Sequence, residues 1–318
     1  MKNYKDDIQV SVCVVTYNQE KYIAECLDSL VSQKTNFKFE IIVGEDCSTD
    51  STRNIVQRYI DKYPNLIIPL FHSKNVGYVE NIKQVYMAAK GNYIAHMDGD
   101  DMALPNKLQQ QFNMMEINPQ AIICSHNVLD KIDDNLLKNG YWNHPKGEYD
   151  FLDLIKKLPF FAHSSKLFRA SDFKNFSEIL CDKTALDIEL HLSQSLRGTI
   201  IHLEEVLGIY RVNVGISSAK NNKLNYIMIE RVIDIYEKLL IENPKYNKVI
   251  RIAYSNYLLT TAYSYGLVES NGSKMRSLTF KSIKTKLYSV KQIIMLHLAL
   301  TSYLSIPIIK FGSKIRNK

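Results

Sequence analysis

An alternation near the N-terminus constrains this chain's fold more than anything else in it. Short apolar runs rich in β-branched residues trade places with segments whose apolar residues recur at helical spacing. Ile8 to Thr16 (IQVSVCVVT) is a continuous run of the buried-strand type. Glu20 to Gln33 follows, with Ile23, Cys26, Leu27 and Leu30 on one helical face. Phe39 to Gly44 is a second strand. Asp46-Cys-Ser-Thr-Asp reads as a turn and helix cap before a helix over Ser51 to Tyr63. Leu66 to Phe71, Val79 to Ala89 and Tyr93 to Met97 repeat the pattern as strand, helix and strand. This order predicts an α/β fold, with a mostly parallel sheet, helices on both faces and short right-handed connections.

In such sheets ligands bind outside the carboxyl ends of the strands. Three polar clusters fall at those ends here: Thr16-Tyr17-Asn18, Glu45-Asp46 and Asp98-Gly-Asp100-Asp101. The last is the most informative. Two carboxylates one residue apart on a turn can hold a hard divalent cation through oxygen, as Mg²⁺ or Mn²⁺ requires. Asp-Gly is also ordinary turn chemistry, and its place after a strand is what gives it weight.

Beyond the fourth strand the expected elements are a helix over Lys107 to Glu116 and a strand over Ala121 to Val128. A looser stretch runs to Tyr149, followed by a short helix over Phe151 to Leu158. Leu167 to Ala170 reads as a strand end, Asp187 to Leu196 as a helix and Thr199 to Arg211 as a strand pair. The boundary is placed near 219–223, giving a domain over 1–219 and a helical extension over 220–318. In the extension, helices are expected over Leu224 to Ile241 and Asn247 to Glu269.

Charge divides in the same place. Residues 220–318 hold 17 Lys and Arg against 5 Asp and Glu, and from residue 270 onward 10 basic residues stand with no acidic one. Such a tail suits an anionic surface. Ile293 to Ile309 carries no formal charge but is interrupted by His297, Ser302, Ser305 and Pro307. It therefore suits a membrane interface, or packing on the protein, better than a span. Lys310, Lys314, Arg316 and Lys318 would reach headgroups from it. The five cysteines form no CxxC pair and are irregularly spaced, which argues against a disulfide framework or a zinc site and fits a reducing compartment. Met1 to Asp7 is polar, unlike a secretory leader. The expected location is cytoplasmic, peripheral at the inner face of the cell membrane. No GxGxxG follows the first strand, which argues against a dinucleotide enzyme, and the basic tail contains no nucleic-acid module.

Several motifs in order resemble glycosyltransferase family 2 enzymes of the GT-A fold. They are Val10 to Asn18 (VSVCVVTYN), Glu40 to Thr52 (EIIVGEDCSTDST), Asn75-Val-Gly77 with Asn81, and Gly91 to Asp101 (GNYIAHMDGDD). The resemblance is close over 8–130 and looser to about 218. It implies that Thr16, Asn18, Asn75, Gly77 and Asn81 line a nucleotide-sugar pocket. Asp46 would accept a hydrogen bond from the base, often uracil in this family. Asp98 would lie near ribose and metal, and Asp100 would be the main ligand of Mn²⁺ or Mg²⁺. Asp187, within Leu186-Asp-Ile-Glu-Leu190, occupies the place of the general base, although the residues alone do not choose it over Asp182 or Glu189. His163 would face the acceptor.

The sequence departs from the family pattern at three places. Glu45 and Cys47 stand where Asp and Gly are frequent, and Asn213 stands where a His often contacts metal or diphosphate. Arg211 is left to balance phosphate charge. The activity implied is inverting transfer from a nucleoside-diphosphate sugar to a glycan or lipid-linked hydroxyl. The alternative is an inactive nucleotide-sugar-binding scaffold.

Overall fold

The computed structural model of the chain describes residues 7–132, 135–137, 142–212, 214, 224–301 and 306–307. Two compact units emerge. One comprises Met1–Leu154 and Leu158–Val214, the other Ile155–Lys157 and Gly215–Lys318.

The first unit opens with the predicted alternation: β1 (Ile8–Thr16), α1 (Ile23–Val31), β2 (Lys38–Glu45), α2 (Thr52–Lys62), β3 (Ile67–Phe71), α3 (Tyr78–Ala88) and β4 (Tyr93–Asp98). Then come β5 (Met102–Ala103), α4 (Lys107–Ile117), β6 (Ala121–Ile132), β7 (Asn135–Leu137), β8 (Gly147–Tyr149) and α5 (Phe151–Lys156). The unit closes with β9 (Leu167–Arg169), α6 (Phe173–Phe176), α7 (Asp187–Ser195) and β10 (Thr199–Arg211).

All ten strands form one sheet, ordered β3-β2-β1-β4-β9-β6-β10-β5, with β7 on β6 and β8 on β10. The strands β1 to β4 pair in parallel, as does β10 with β6, while β5, β7, β8 and β9 run antiparallel to their neighbours. This is the expected mostly parallel α/β architecture.

Strand periodicity decides which side of β1 faces which layer. Val10, Val12 and Val14 join a core with Ile23, Leu27 and Leu30 of α1 and Phe112 of α4. Cys13 points the other way, where its thiol donates to the carbonyl oxygen of Val85 in α3 at 3.4 Å.

One expectation is corrected. Thr199 to Arg211 is a single 13-residue strand, not a pair. Its pairing with β6 shifts register between Leu203 and Val206, so the exposed Glu204-Glu205 is a bulge and the chain does not reverse there.

The second unit is helical: α8 (Tyr226–Glu242), α9 (Asn247–Glu269), α10 (Gly272–Thr285) and α11 (Val290–Leu300). Asn271 caps α10, accepting from the Lys274 N–H at 3.0 Å. Met275 and Ala299 are buried in a small core that Tyr263 and Leu267 help to cover. The Ser255 hydroxyl donates to the Ser282 carbonyl at 2.7 Å, and the Ser282 hydroxyl returns the bond to the Ser255 carbonyl at 2.7 Å. No helix among the described residues is long and apolar enough to cross a membrane. Asn213, the stretch 219–223 and the basic residues from Lys310 on lie outside the described residues.

Candidate active site

Register assembles the site. Val15 of β1 pairs with Asp98 of β4, and Thr16 pairs with Glu45 of β2. The three polar clusters therefore share one edge of the sheet.

At the first end, Asn18 turns into the left-handed region at φ 52°. Its side-chain oxygen accepts from the Thr49 N–H at 2.8 Å, so it ties the β1 turn to the β2 turn. The Thr16 hydroxyl donates to Gln19 at 2.8 Å.

At the second end, Asp46 is 2% exposed. Its two carboxylate oxygens accept the N–H groups of Val76 at 2.7 Å and Gly77 at 2.9 Å. The Asn75 amide donates to the Asp46 carbonyl at 3.3 Å. Gly77, at φ 91° and ψ 157°, occupies a backbone region almost closed to other residues, and it starts α3 there. Asp46, Asn75 and Gly77 thus come together. Asn81 follows on the same helix, its N–H donating to the Gly77 carbonyl at 2.9 Å. Its amide donates to the Gly44 carbonyl at 2.8 Å and its oxygen meets His72 at 3.1 Å, which holds α3 against β2.

At the third end, the Gly99 N–H donates to the Val15 carbonyl at 2.9 Å. A Cβ there would stand 2.5 Å from the Gln19 side-chain oxygen and 2.9 Å from Thr16. The glycine of Asp98-Gly-Asp100 is required by that close approach. Asp98 accepts from Tyr78 at 3.3 Å and lies 3.3 Å from His96. Asp100 is buried, and burial followed by repulsion from Asp98 raises its carboxyl above the usual range. Asp101 is scaffold: it accepts the Ser164 hydroxyl at 2.5 Å and the Arg211 N–H at 2.9 Å. Pairing of β5 with β10 carries Arg211 here. Its guanidinium contacts the Asp100 carbonyl, pairs with Glu25 at 2.5 Å and lies over the Tyr22 ring at 4.9 Å.

Asp187 begins α7 and accepts from the Ile188 N–H at 2.8 Å. Burial, then the charge of Asp98, raises its carboxyl to about 6, with Lys166 pulling the other way. The two alternatives are engaged elsewhere. Asp182 is exposed and binds Thr184, while Glu189 accepts the Leu186 N–H at 2.9 Å.

His163, the acceptor-facing candidate, is buried and packed between two other histidines. Its ring lies 3.9 Å from that of His96, centroid to centroid, and its Nδ1 is 2.9 Å from His191 Nε2. Burial holds all three rings below the usual imidazole value, hence neutral. Lys166, wholly buried beside them, is lowered to about 7 by the same cause.

Glu25, Tyr78, Ser164 and Lys166 escaped the sequence reading.

Asp98 and Asp100 offer oxygen alone, and the guanidinium of Arg211 is the cation in contact with this turn. That donor set fits Mg²⁺ or Mn²⁺.

Known proteins share this fold. The fold resembles Staphylococcus aureus TarS 1-349 in complex with UDP-GlcNAc, with TM-score 0.63 and 18% identity over 96% of this chain and 92% of that one. It also resembles the mannosyltransferase PcManGT of Pyrobaculum calidifontis in complex with GDP-Man and Mn²⁺, with TM-score 0.54 and 14% identity over 98% and 91%. In sequence it is 31% identical to the poly(ribitol-phosphate) beta-glucosyltransferase of Bacillus spizizenii, over 52% of this chain and 26% of that one. The chain spans 58% of the length of the first curated relatives it matches. The profile of glycosyl transferase family 2 matches residues 11–176, slightly more than half of the sequence, and the chain belongs to that family.

Proposed function

We propose that this chain is an inverting glycosyltransferase of bacterial surface-polysaccharide synthesis. It would move a sugar from a nucleoside-diphosphate donor, read as a UDP-sugar, to a hydroxyl of a glycan or lipid-linked acceptor. One observation carries the reading. A single sheet edge gathers the Asp46 cradle and the Asp98-Gly-Asp100 turn, and Asp187 lies within electrostatic reach of Asp98.

In this reading Thr16, Asn18 and Asp46 frame the nucleoside. Asp98 and Asp100 hold Mn²⁺ or Mg²⁺, which when bound neutralises charge on the departing diphosphate. Arg211 braces that turn from behind through Asp100 and Glu25. Asp187 takes the proton from the acceptor hydroxyl. A carboxyl near 6 is a stronger base than an ordinary aspartate and remains ionised at neutral pH.

Calorimetric titration with nucleoside diphosphates, with Mn²⁺ and with chelator, tests the donor half. Binding of one nucleotide class that needs the metal, and is lost in Asp100→Ala, is expected. No binding by folded protein under either condition would sink the proposal. Binding without transfer to any acceptor would leave the inactive scaffold.

We place the protein at the cytoplasmic face of an anionic membrane. Val290, Ile293, Ile294 and Leu300 of α11 are each more than half exposed, and the stretch from residue 270 on carries only basic charge. Deleting 290–318 should abolish sedimentation with liposomes containing anionic lipid. Unchanged sedimentation would remove the membrane from the reading.

A further inference from the structure

Among the described residues, one group of three side chains can each offer a ligand atom within 4.8 Å of the other two: His163, Asp187 and His191. A first-row ion with bonds of about 2.1 Å wants tetrahedral ligands roughly 3.4 Å apart, so small side-chain rotations would close the group.

A second observation marks the hydrogen bonding of these two rings as incomplete. His163 Nδ1 and His191 Nε2 face each other at 2.9 Å, while the outer nitrogens, His163 Nε2 and His191 Nδ1, are buried without a partner. Whichever neutral ring donates, one outer nitrogen is a bare lone pair and the other carries a hydrogen that nothing accepts. Leaving a buried polar atom unsatisfied costs about 1–3 kcal/mol, and such atoms in a native structure call for an explanation. Here two occur on adjacent rings, beside a carboxylate.

We propose that His163, Asp187 and His191 form a site for a transition metal of the Zn²⁺ class, and that its occupation takes Asp187 away from the acceptor. The donor set is what separates it from the sheet-edge turn. Two imidazoles and one carboxylate suit Zn²⁺, Co²⁺ or Ni²⁺, whereas Asp98 and Asp100 provide the hard oxygens that Mg²⁺ and Mn²⁺ prefer. His96 stands between the two groups, in contact with Asp98 on one side and with its ring tilted at 45° against that of His163 on the other. The burial that keeps the rings neutral also keeps them in the ligating form. A carboxylate bound to Zn²⁺ is a poor base, so the ion acts as an inhibitor. That consequence rests on Asp187 being the base, whereas the binding itself does not.

The test uses the full chain in excess Mg²⁺, so that the oxygen site is filled. Co²⁺ alone is titrated in, and the visible d–d absorption of a nitrogen-ligated ion is followed. One equivalent per chain is expected, displaced by Zn²⁺ and kept in Asp100→Ala. Loss of the band is expected in His191→Gln, and at least about tenfold weaker binding in Asp187→Asn. Transfer should fall on adding one equivalent of Zn²⁺ and return with a chelator restricted to Zn²⁺ in the presence of Mg²⁺.

The wild-type spectrum decides even if a variant fails to fold. No band, a band that Mg²⁺ removes, or one unchanged in folded His191→Gln overturns the site. A band with no effect of Zn²⁺ on transfer overturns the inhibition. A band in a protein that binds no nucleotide would instead sink the transferase reading and leave the metal site standing.

Discussion

The two units bury polar groups in opposite ways. At the sheet edge of the first, the buried groups are ionisable and crowded. Asp100 is raised by burial and then by Asp98, Asp101 by burial and then by Asp100, Asp187 is raised to about 6, and Lys166 is lowered to about 7. In the helical unit the buried Ser255, Ser282 and Gln292 are neutral and matched to one another. Ser255 and Ser282 exchange hydroxyl-to-carbonyl bonds, and Gln292 donates to the Ser282 hydroxyl at 3.0 Å. Among its described residues no charged group is buried, and Lys281 pairs with Glu237 at 2.9 Å near the surface. A buried charge is expensive and a buried hydroxyl with partners is not. The first pattern sacrifices stability for chemistry, and the second is only scaffold.

Asp187→Asn breaks that comparison most sharply, because one change moves activity and stability in opposite directions. Transfer should fall by about 10²–10⁴-fold, as for loss of a general base, with donor binding kept in calorimetry. Stability in metal-free buffer should rise. The raised carboxyl means that the fold holds its proton more tightly than the unfolded chain does. The native charge therefore brings no penalty below the ordinary value of 3.8. The penalty grows from there to about 6 and is complete above it. At neutral pH the ceiling is about 3 kcal/mol at 1.36 kcal/mol per unit. Urea unfolding of both proteins across that range measures the difference. A gap that does not close toward pH 4 would show that the stabilisation comes from something other than charge.

Ser255→Ala applies the reverse logic to the helical unit. Its buried hydroxyl is shared between the carbonyls of Ser282 at 2.7 Å and Lys286 at 3.0 Å, where α10 ends. Removing it should cost about 1–2 kcal/mol, less the few tenths that alanine gains in a helix. The loss should be flat with pH and leave transfer unchanged. A pH-dependent loss would mean that an ionisable group is buried near α9, against the comparison.

How legible each unit was in the sequence follows from the range of the interactions involved. The strands β1 to β4 and the helices between them were readable because each is long enough to show a period. Asp98, Asp100 and Asp46 were readable because they end those strands. The short strands β5, β7 and β8 have 2 or 3 residues and no period to detect. Glu204-Glu205 looked like a turn because a bulge and a turn expose the same residue types. Choices among similar residues were not legible at all. Asp187 stands out from Asp182 by being less exposed, and from Glu189 by the charge of Asp98, far away in the chain, acting on its carboxyl.

The smallest effect compares two strained positions, one in each unit. Cys47 lies at φ 58° in the turn after Asp46, and Ser270 at φ 56° where α9 ends. An L-residue in this region costs about 1–2 kcal/mol, and glycine's greater unfolded freedom takes back roughly 0.5–1. Cys47→Gly and Ser270→Gly should therefore each stabilise by about 0.5–1 kcal/mol, read in urea. Their effects on function should differ. Ser270 ends a helix where glycine is the usual residue, so its strain has no further consequence. Cys47 sits between Asp46 and Ser48, and Ser48 bonds both Asn18 and Glu45. Loosening it frees the turn that sets Asp46 against the Gly77 N–H. Weaker nucleotide binding in Cys47→Gly, with none in Ser270→Gly, would mark the strain at the sheet edge as part of the site. Equal binding in both would reduce Cys47 to an ordinary imperfection of a stable turn.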